Sequence, residues 1–159
     1  MEGAPPVRSW RRGAQQLSEE LARRAIEAVK AALPYVVAGP PLIHRGPAGE
    51  LHVDVPLMYH GFALDRIHCD PVAKTPSPKG RPAHVYGVEV RREEVVEVMQ
   101  RVVRELRVVE AAEFRDPEDA WMVPLAWRLY IVAHVKVSYE GSELVPDYGL
   151  TEEVRRYVA

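Results

Sequence analysis

Residues 51–70 read LHVDVPLMYHGFALDRIHCD, and this stretch decides the fold. Over residues 51–57 apolar side chains alternate with polar side chains and a proline, which is typical of a half-buried strand. A second run of strand-forming residues covers residues 62–69. Because only Tyr59-His60-Gly61 separates the two runs, we expect a tight turn that joins them into an antiparallel hairpin.

Two amphipathic helices lie on either side of this hairpin in the sequence. The first is predicted to begin at the N-cap residue Ser18 and to end at Pro34. Its apolar stripe consists of Leu21, Ala25, Ile26, Val29 and Leu33. The second is predicted to begin near Arg92. Its apolar face consists of Val95, Val96, Met99, Val102, Val103 and Leu106.

The rest of the chain adds further strands. Residues 83–90 and 143–145 predict short strands, and residues 126–139 predict a long one. Asp116-Pro117 predicts the start of a short helix that Pro124 ends, whereas residues 107–114 fit either a helix or a strand. No internal repeat is evident. The order of elements predicts an α+β fold, a mostly antiparallel sheet of about five to six strands with two main helices packed on one face.

The length of 159 residues fits one domain. Residues 1–14 are rich in proline, glycine and arginine and predict an N-terminal arm, so that residues 15–159 form a single α+β domain. The one cysteine, Cys69, excludes an internal disulfide framework and a cysteine-rich zinc site. We expect Cys69 to be a small buried residue.

The use of amides and cations points to heat adaptation. The chain has no asparagine, and only four of its 21 basic residues are lysines. Depletion of thermolabile amides in a highly charged chain predicts a thermophilic source. No apolar run approaches the roughly 18 residues needed to cross a bilayer, and the N-terminus lacks the apolar core of a secretory signal. We therefore expect a cytoplasmic protein without a membrane partner.

The hairpin also carries the densest cluster of reactive side chains. If Met58 lies opposite Phe62, then His52 faces His68, and Asp54 lies on the same polar face. Two histidines and a carboxylate on one face could bind a divalent metal ion such as zinc or iron, or could form a general base held by a carboxylate.

The metal hypothesis therefore names His52, Asp54 and His68 as ligands, but it depends on the register. A slip of one residue moves a side chain to the other face of the sheet. The chain also lacks a recognised metal-binding spacing such as HExxH. The alternative is that these are ordinary polar residues on a solvated face.

Local positive charge predicts a second candidate surface. It lies in the arm and in the proline-rich loop of residues 70–82. Its members are Arg8, Trp10, Arg11, Arg12, Lys74, Lys79 and Arg81. If arm and loop converge, they form a basic patch with an aromatic side chain, able to bind nucleic acid or a protein partner. The net charge of −2 does not favour nucleic acid.

The sequence carries no established catalytic signature. A phosphate-binding loop, a dinucleotide fingerprint and a nucleophile elbow are all absent from it. The best guess is therefore a non-enzymatic binding or interaction module, either a homo-oligomer or a subunit of a larger assembly, with Trp10, Tyr148 and Tyr157 as interface anchors. The alternatives are a metal-assisted enzyme that uses the hairpin cluster and a nucleic-acid-binding protein.

Overall fold

A computed structural model describes residues 7–158, with side chains from residue 16 onward. Within this range the chain forms three α-helices and ten strands. The helices are α1 (Val7–Ala32), α2 (Arg92–Arg104) and α3 (Tyr148–Val158). The strands are β1 (Val37–Ala38), β2 (Leu42–Arg45), β3 (Leu51–Tyr59), β4 (Phe62–Asp70), β5 (Thr75–Pro76), β6 (Arg107–Val108), β7 (Glu113–Arg115), β8 (Ala120–Trp127), β9 (Tyr130–Val137) and β10 (Leu144–Val145).

The strands form two antiparallel sheets rather than one. The first has the order β1-β3-β4-β5, with β2 also paired to β3, and the second has the order β10-β9-β8-β6, with β7 also paired to β8. The α+β class and the antiparallel pairing are confirmed. The expected strands divide between two five-stranded sheets because the second half of the chain forms its own hairpin.

That second hairpin explains most differences from the predicted elements. The long strand expected over residues 126–139 is broken by a turn at Arg128-Leu129, and Pro124 lies inside β8 instead of ending a helix. Asp116 begins only a single 3-10 turn, Asp116–Glu118. The strand expected over residues 83–90 is reduced to an isolated pairing of Val85 with Leu51.

The helix α1 begins at Val7, eleven residues before the predicted cap at Ser18. Its backbone therefore runs through residues 7–14 of the predicted arm, and residues 1–6 lie outside the described residues. The helix α2 begins at Arg92, as predicted, and buries Val95, Met99 and Val102. Among the described residues, no helix is both long and apolar enough to cross a bilayer.

The two halves of the chain repeat one order of elements. Each half has a helix (α1 or α2), a two-residue strand (β1 or β6), a short strand (β2 or β7), a long hairpin (β3–β4 or β8–β9) and a final two-residue strand (β5 or β10). Corresponding strands also pair with corresponding partners. The structure therefore contains an internal repeat that is not evident in the sequence. Within the described residues, α3 is the helix that has no counterpart.

The two hairpins also share their irregularities. Val55-Pro56-Leu57 of β3 corresponds to Val123-Pro124-Leu125 of β8, and the register shifts directly after each of these segments. The first residue of each turn is left-handed, with φ of 48° at His60 and 54° at Arg128. Bulge and turn together give both hairpins the same geometry.

Pro56 and Pro124 lie opposite the points at which the neighbouring edge of each sheet is interrupted between two short strands. Gly39 donates its N–H to the carbonyl of Pro56 at 2.8 Å, and Val109 donates to the carbonyl of Pro124 at 2.9 Å. The nitrogen and carbonyl of one residue in an antiparallel strand point to the same side, so the missing N–H of each proline faces this edge. The edge therefore consists of two short strands in each half.

The two halves share one hydrophobic core. The helix α1 packs against β8 and β9, and α2 packs against β1 and β5, so each helix covers strands of the other half. Fully buried members of the core include Ala25, Val29, Val55, Leu57, Ile67, Met99, Val123, Leu125, Val132 and Val135. Because each helix packs on strands of the other half, each half depends on the other for the burial of its apolar side chains.

The helix α3 lies on the outer face of the first sheet, away from this core. Its Leu150 and Val154 pack with Leu42 of β2 and Ala63 of β4 in a second, smaller cluster. The hydroxyl of Thr151 accepts a hydrogen bond from the N–H of Ala63 at 3.0 Å. This outer face is the one on which the polar side chains of β3 lie.

Candidate metal site

Three neighbouring strands bring a cluster of polar side chains to the outer face of the first sheet. His52 and Asp54 are two residues apart on β3 and therefore share this face. Strand pairing places His44 of β2 directly opposite His52, and His68 of β4 directly opposite Asp54. Because directly opposed residues share a face, the four side chains lie together.

Asp54 is the buried centre of the cluster, with 1% of its surface exposed. His68 Nδ1 lies 2.6 Å from its Oδ1, and Arg66 Nη1 donates to its Oδ2 at 2.9 Å. Burial raises the pKa of Asp54, but the hydrogen bonds from His68 and Arg66 outweigh burial and hold the pKa below its ordinary value. Asp54 is therefore an ionised carboxylate at neutral pH, the form that binds cations.

Two imidazoles approach the same oxygen of this carboxylate. The Nε2 atoms of His44 and His52 each lie 3.8 Å from Asp54 Oδ2, and the ligand atoms of the three residues all lie within 4.8 Å of one another. In a tetrahedral site with bonds of about 2.0–2.2 Å, ligand atoms are about 3.4 Å apart. Two of the three separations are thus close to those of a metal site.

The two imidazole rings are stacked, with centroids 4.5 Å apart and an angle of 18° between their planes. To bind one ion through both ring nitrogens, the rings of His44 and His52 would have to tilt apart from this stack. His84 stands edge-on to the ring of His52 at 5.4 Å. His44 and His52 are both partly exposed, which leaves room on the solvent side for their rings to rotate.

The charge state of His52 suits a metal ligand. Burial lowers its pKa below the ordinary value, Asp54 opposes this in part, and the neighbouring His44, His84 and His68 lower the pKa further. His52 is therefore a neutral imidazole at neutral pH. Neutral imidazole is the form that coordinates a metal ion.

His44 Nε2 is the buried side-chain atom that lacks a hydrogen-bond partner within the part of the chain that the structure describes. Its nearest carboxylate oxygens are Glu153 Oε1 at 3.5 Å and Asp54 Oδ2 at 3.8 Å. Buried polar atoms are nearly always partnered. A ring nitrogen left without a hydrogen bond between two carboxylates fits the donor set of a divalent ion.

The helix α3 brings the second carboxylate to the cluster. Glu153 Oε2 accepts a hydrogen bond from Arg66 Nη2 at 2.9 Å, so Arg66 joins Glu153 to Asp54. Glu153 is about as exposed as Arg66, whereas the Asp54 side chain is almost fully covered. The cluster therefore has a buried side at Asp54 and an accessible side at Arg66 and Glu153.

The predicted ligands His52, Asp54 and His68 do share one face, but their register differs from the prediction. His68 faces Asp54 and not His52, and Tyr59, not Met58, pairs with Phe62. The difference arises because the turn has two residues and a bulge follows Leu57. His68 holds Asp54, and His44 takes its expected place as the third potential ligand.

His44 is not among the predicted ligands, because it belongs to the short strand β2. This strand follows the break at Gly39-Pro40-Pro41, and its pairing with β3 is not evident from the sequence. The alternation in β2 places Leu42 and His44 on one face, which was the available signal. The sequence by itself does not show that His44 lies opposite His52.

The second half of the chain lacks this cluster. Aligning the two bulged hairpins places Ala120 at the position of His52, Met122 at that of Asp54 and Lys136 at that of His68. Arg115, opposite Ala120, corresponds to His44. The same arrangement of strands therefore folds without the polar cluster, so the fold itself does not require these side chains.

The predicted basic patch is only partly within the described side chains. Arg8, Trp10, Arg11 and Arg12 lie outside them. In the proline-rich loop, Lys74 pairs with Glu94, and Lys79 binds both carboxylate oxygens of Asp65. Arg81 is exposed. Two of the three loop cations are therefore already neutralised by carboxylates.

No family model, no curated protein and no solved structure matches this chain.

Proposed function

We propose that this protein binds a divalent transition-metal ion through His44, His52 and Asp54 and acts as a metal-assisted enzyme. The observation that carries the proposal is the buried Nε2 of His44, which has no hydrogen bond within the described residues and faces Glu153 and Asp54. Two imidazoles and a carboxylate suit zinc, iron, cobalt or nickel.

Three protein ligands leave coordination positions open, as in catalytic rather than structural metal sites. An ion held by these residues would supply Lewis-acid chemistry, which lowers the pKa of a bound water towards neutral. His68 acts through Asp54 in this proposal. Its Nδ1–H binds Asp54 Oδ1, so the ion would bind Oδ2, the oxygen to which Arg66 also donates.

Comparison with the second half supports a functional origin of the cluster. A buried carboxylate costs free energy that an apolar side chain does not. Met122 shows that the corresponding position can hold an apolar residue, which is itself buried. A carboxylate at this position in the first half is therefore better explained by ligand binding than by folding.

The test is metal stoichiometry on the full chain, purified without a tag, dialysed against zinc and measured by elemental analysis. We expect about one zinc ion per chain and a rise in melting temperature with zinc, since a ligand that binds only the folded state stabilises it by about 2.7 kcal/mol at a hundred times its dissociation constant. Asp54→Met, which installs the residue of the second half, and His44→Gln should each abolish both effects.

The matched control is His60→Asn. His60 is an exposed histidine in the left-handed turn of the same hairpin, and asparagine tolerates that backbone conformation. This variant should bind zinc like the unaltered protein. The proposal is wrong if the unaltered protein retains no zinc and its melting temperature does not respond to zinc, manganese or iron.

A second candidate function is an interaction module that forms a homo-oligomer. It is supported by exposed apolar side chains beside Leu33–Tyr35, where Tyr35 is 67% and Val37 is 59% exposed. Open grooves of about 580 Å³ and 590 Å³ flank this segment, and both have linings that are more apolar than polar. Exposed apolar side chains between two grooves form a surface that a symmetric dimer would bury from both copies.

A further inference from the structure

Arg66 lies between the two carboxylates of the candidate metal site. Its Nη1 donates to Asp54 Oδ2 and its Nη2 to Glu153 Oε2, both at 2.9 Å. Asp54 Oδ2 is also the oxygen that His44 and His52 approach. The guanidinium group thus binds the same oxygen that the proposed ion would use.

The charges of the cluster do not balance once a divalent ion is bound. Asp54 and Glu153 contribute two negative charges and Arg66 contributes one positive charge, so the site carries about −1 before an ion binds. A divalent ion adds two positive charges and would change this to about +1. An unbalanced charge beside a buried carboxylate is unfavourable, and one bound anion would remove it.

Arg66 is placed to bind that anion. About 29% of its side chain is exposed, against 2% for the side chain of Asp54, so the guanidinium can be reached from solvent. Arg66 Nη1 would lose its bond to Asp54 Oδ2 if that oxygen bound a cation, because the two positive charges would repel each other. A guanidinium group presents paired N–H donors whose spacing matches the oxygens of a carboxylate or a phosphate.

We infer that the metal-loaded site binds an oxyanion, the carboxylate or phosphate group of its substrate, between Arg66 and the open coordination position of the ion. This inference rests on the proposed metal site. It assigns Arg66 the role of substrate binding and predicts that metal ion and anion bind cooperatively. The corresponding residue of the second hairpin is His134, so the strand pairing itself does not require arginine at this position.

Calorimetric titration of the full chain tests the inference. Inorganic phosphate and acetate are titrated in separate experiments into zinc-loaded and zinc-free protein. We expect at least one of the two anions to bind about tenfold or more tightly when zinc is present. By linkage, the same anion must raise the affinity for zinc by the same factor. The preferred anion identifies the substrate class as a phosphate or a carboxylate.

Arg66→Gln should abolish this coupling while zinc still binds, and Arg66→Lys should retain part of it, because lysine keeps the charge but not the paired donors. Arg45→Gln is the matched control. Arg45 is an exposed arginine next to His44 in β2, on the opposite face of the strand, so the variant should behave like the unaltered protein. Melting curves of all variants establish that they are folded.

The outcomes separate the two proposals. If about one zinc ion binds but neither anion binds more than about twofold better with zinc, the oxyanion site is wrong and the metal site stands. Coupling that persists in Arg66→Gln also overturns the inference, since the anion would then bind to zinc alone. If no zinc binds, both proposals fail.

Discussion

A carboxylate and a methionine occupy corresponding positions at the centre of the two sheets. Asp54 and Met122 are both buried, yet only Asp54 carries a charge that must be compensated by His68 and Arg66. Replacing buried ionic groups by apolar ones is often neutral or stabilising by about 1–4 kcal/mol. At the scale of single residues, the first half therefore buries a charged carboxylate at a position where the second half buries an apolar side chain.

Cys69 illustrates the opposite case, a reactive residue type that the fold makes inert. It is buried beside Val53 in the core, and burial, reinforced by the negative charges of Asp70 and Asp54, raises the pKa of its thiol to about 12. At pH 8 the thiolate fraction is then about a thousandfold lower than for an ordinary thiol, and the thiolate is the reacting form.

We therefore predict that the native protein reacts with a thiol-specific disulfide reagent at pH 8 at a rate set by unfolding rather than by collision. Absorbance of the released thiolate measures the rate. The same protein in denaturant should react completely within the mixing time. Rapid, complete reaction under native conditions would show that Cys69 is accessible and the prediction wrong.

At the scale of elements, Asp65 connects the two sheets. Its carboxylate accepts hydrogen bonds from Lys79 Nζ at 2.7 Å and 2.8 Å and from the N–H of His134 in β9 at 2.8 Å. It also accepts one from the N–H of Arg66 at 2.8 Å. A single side chain on β4 thus satisfies donors from the loop after β5 and from the second sheet. Ala133 takes the corresponding place in the second hairpin and offers no carboxylate there.

Asp65→Ala leaves Lys79 and the His134 N–H without this acceptor. Because Lys79 is partly exposed and can be hydrated, we expect a loss of about 2 kcal/mol in the free energy of unfolding, not the larger cost of a fully buried pair. Urea denaturation of the unaltered protein, Asp65→Ala, Lys79→Met and the double variant measures both the cost and the coupling between the two residues.

Lys74→Met is the matched control for this pair. Lys74 belongs to the same loop, but its ion pair with Glu94 is exposed on both sides, so solvent screens it and it should contribute little to stability. A loss at Asp65 no greater than the loss at Lys74 would contradict the assigned role of Asp65.

At the scale of the whole molecule, each of the helices α1 and α2 packs on strands of the other half. Their C-terminal ends lie beside the same groove. The residues after the two helices, among them Leu33, Val36, Leu106 and Val108, line one open groove. Lys30 and Arg104, from the last turns of α1 and α2, also line it. The exposed Tyr35 and Val37 therefore project next to a surface that both halves build.

If that surface mediates a homodimer, replacing Tyr35 and Val37 by glutamate should produce a monomer, because burying two carboxylates in an apolar contact is unfavourable. Sedimentation or light scattering over a range of protein concentrations measures the change. Val72→Glu is the control, since Val72 is equally exposed but lies in the loop whose Lys74 pairs with the first turn of α2, at the opposite end of that helix. If the unaltered protein is monomeric at every concentration, the dimer is excluded.

Much of the fold could be predicted from local patterns. The stripes of α1 and α2 and the alternation in β3 specify their own burial, because a helix or strand needs one continuous apolar face. The turn Arg128-Leu129 could not be predicted, since neither residue is a usual turn former. The internal repeat could not be recognised from the sequence, because the two halves share few identical residues besides Val55-Pro56-Leu57 and Val123-Pro124-Leu125. Bulges and strand breaks, which are features of the backbone, define the repeat.

The sequence by itself determined the α+β class, the central hairpin, the burial of Cys69 and the presence of reactive side chains on β3. Only the tertiary structure decided which of them meet. A bulge after Leu57 moved His68 opposite Asp54, the pairing of β2 brought His44 to His52, and α3 added Glu153 from 99 residues farther along the chain than Asp54. The physical reason is that strand alternation fixes the face on which a side chain lies, whereas register and helix packing fix its neighbours.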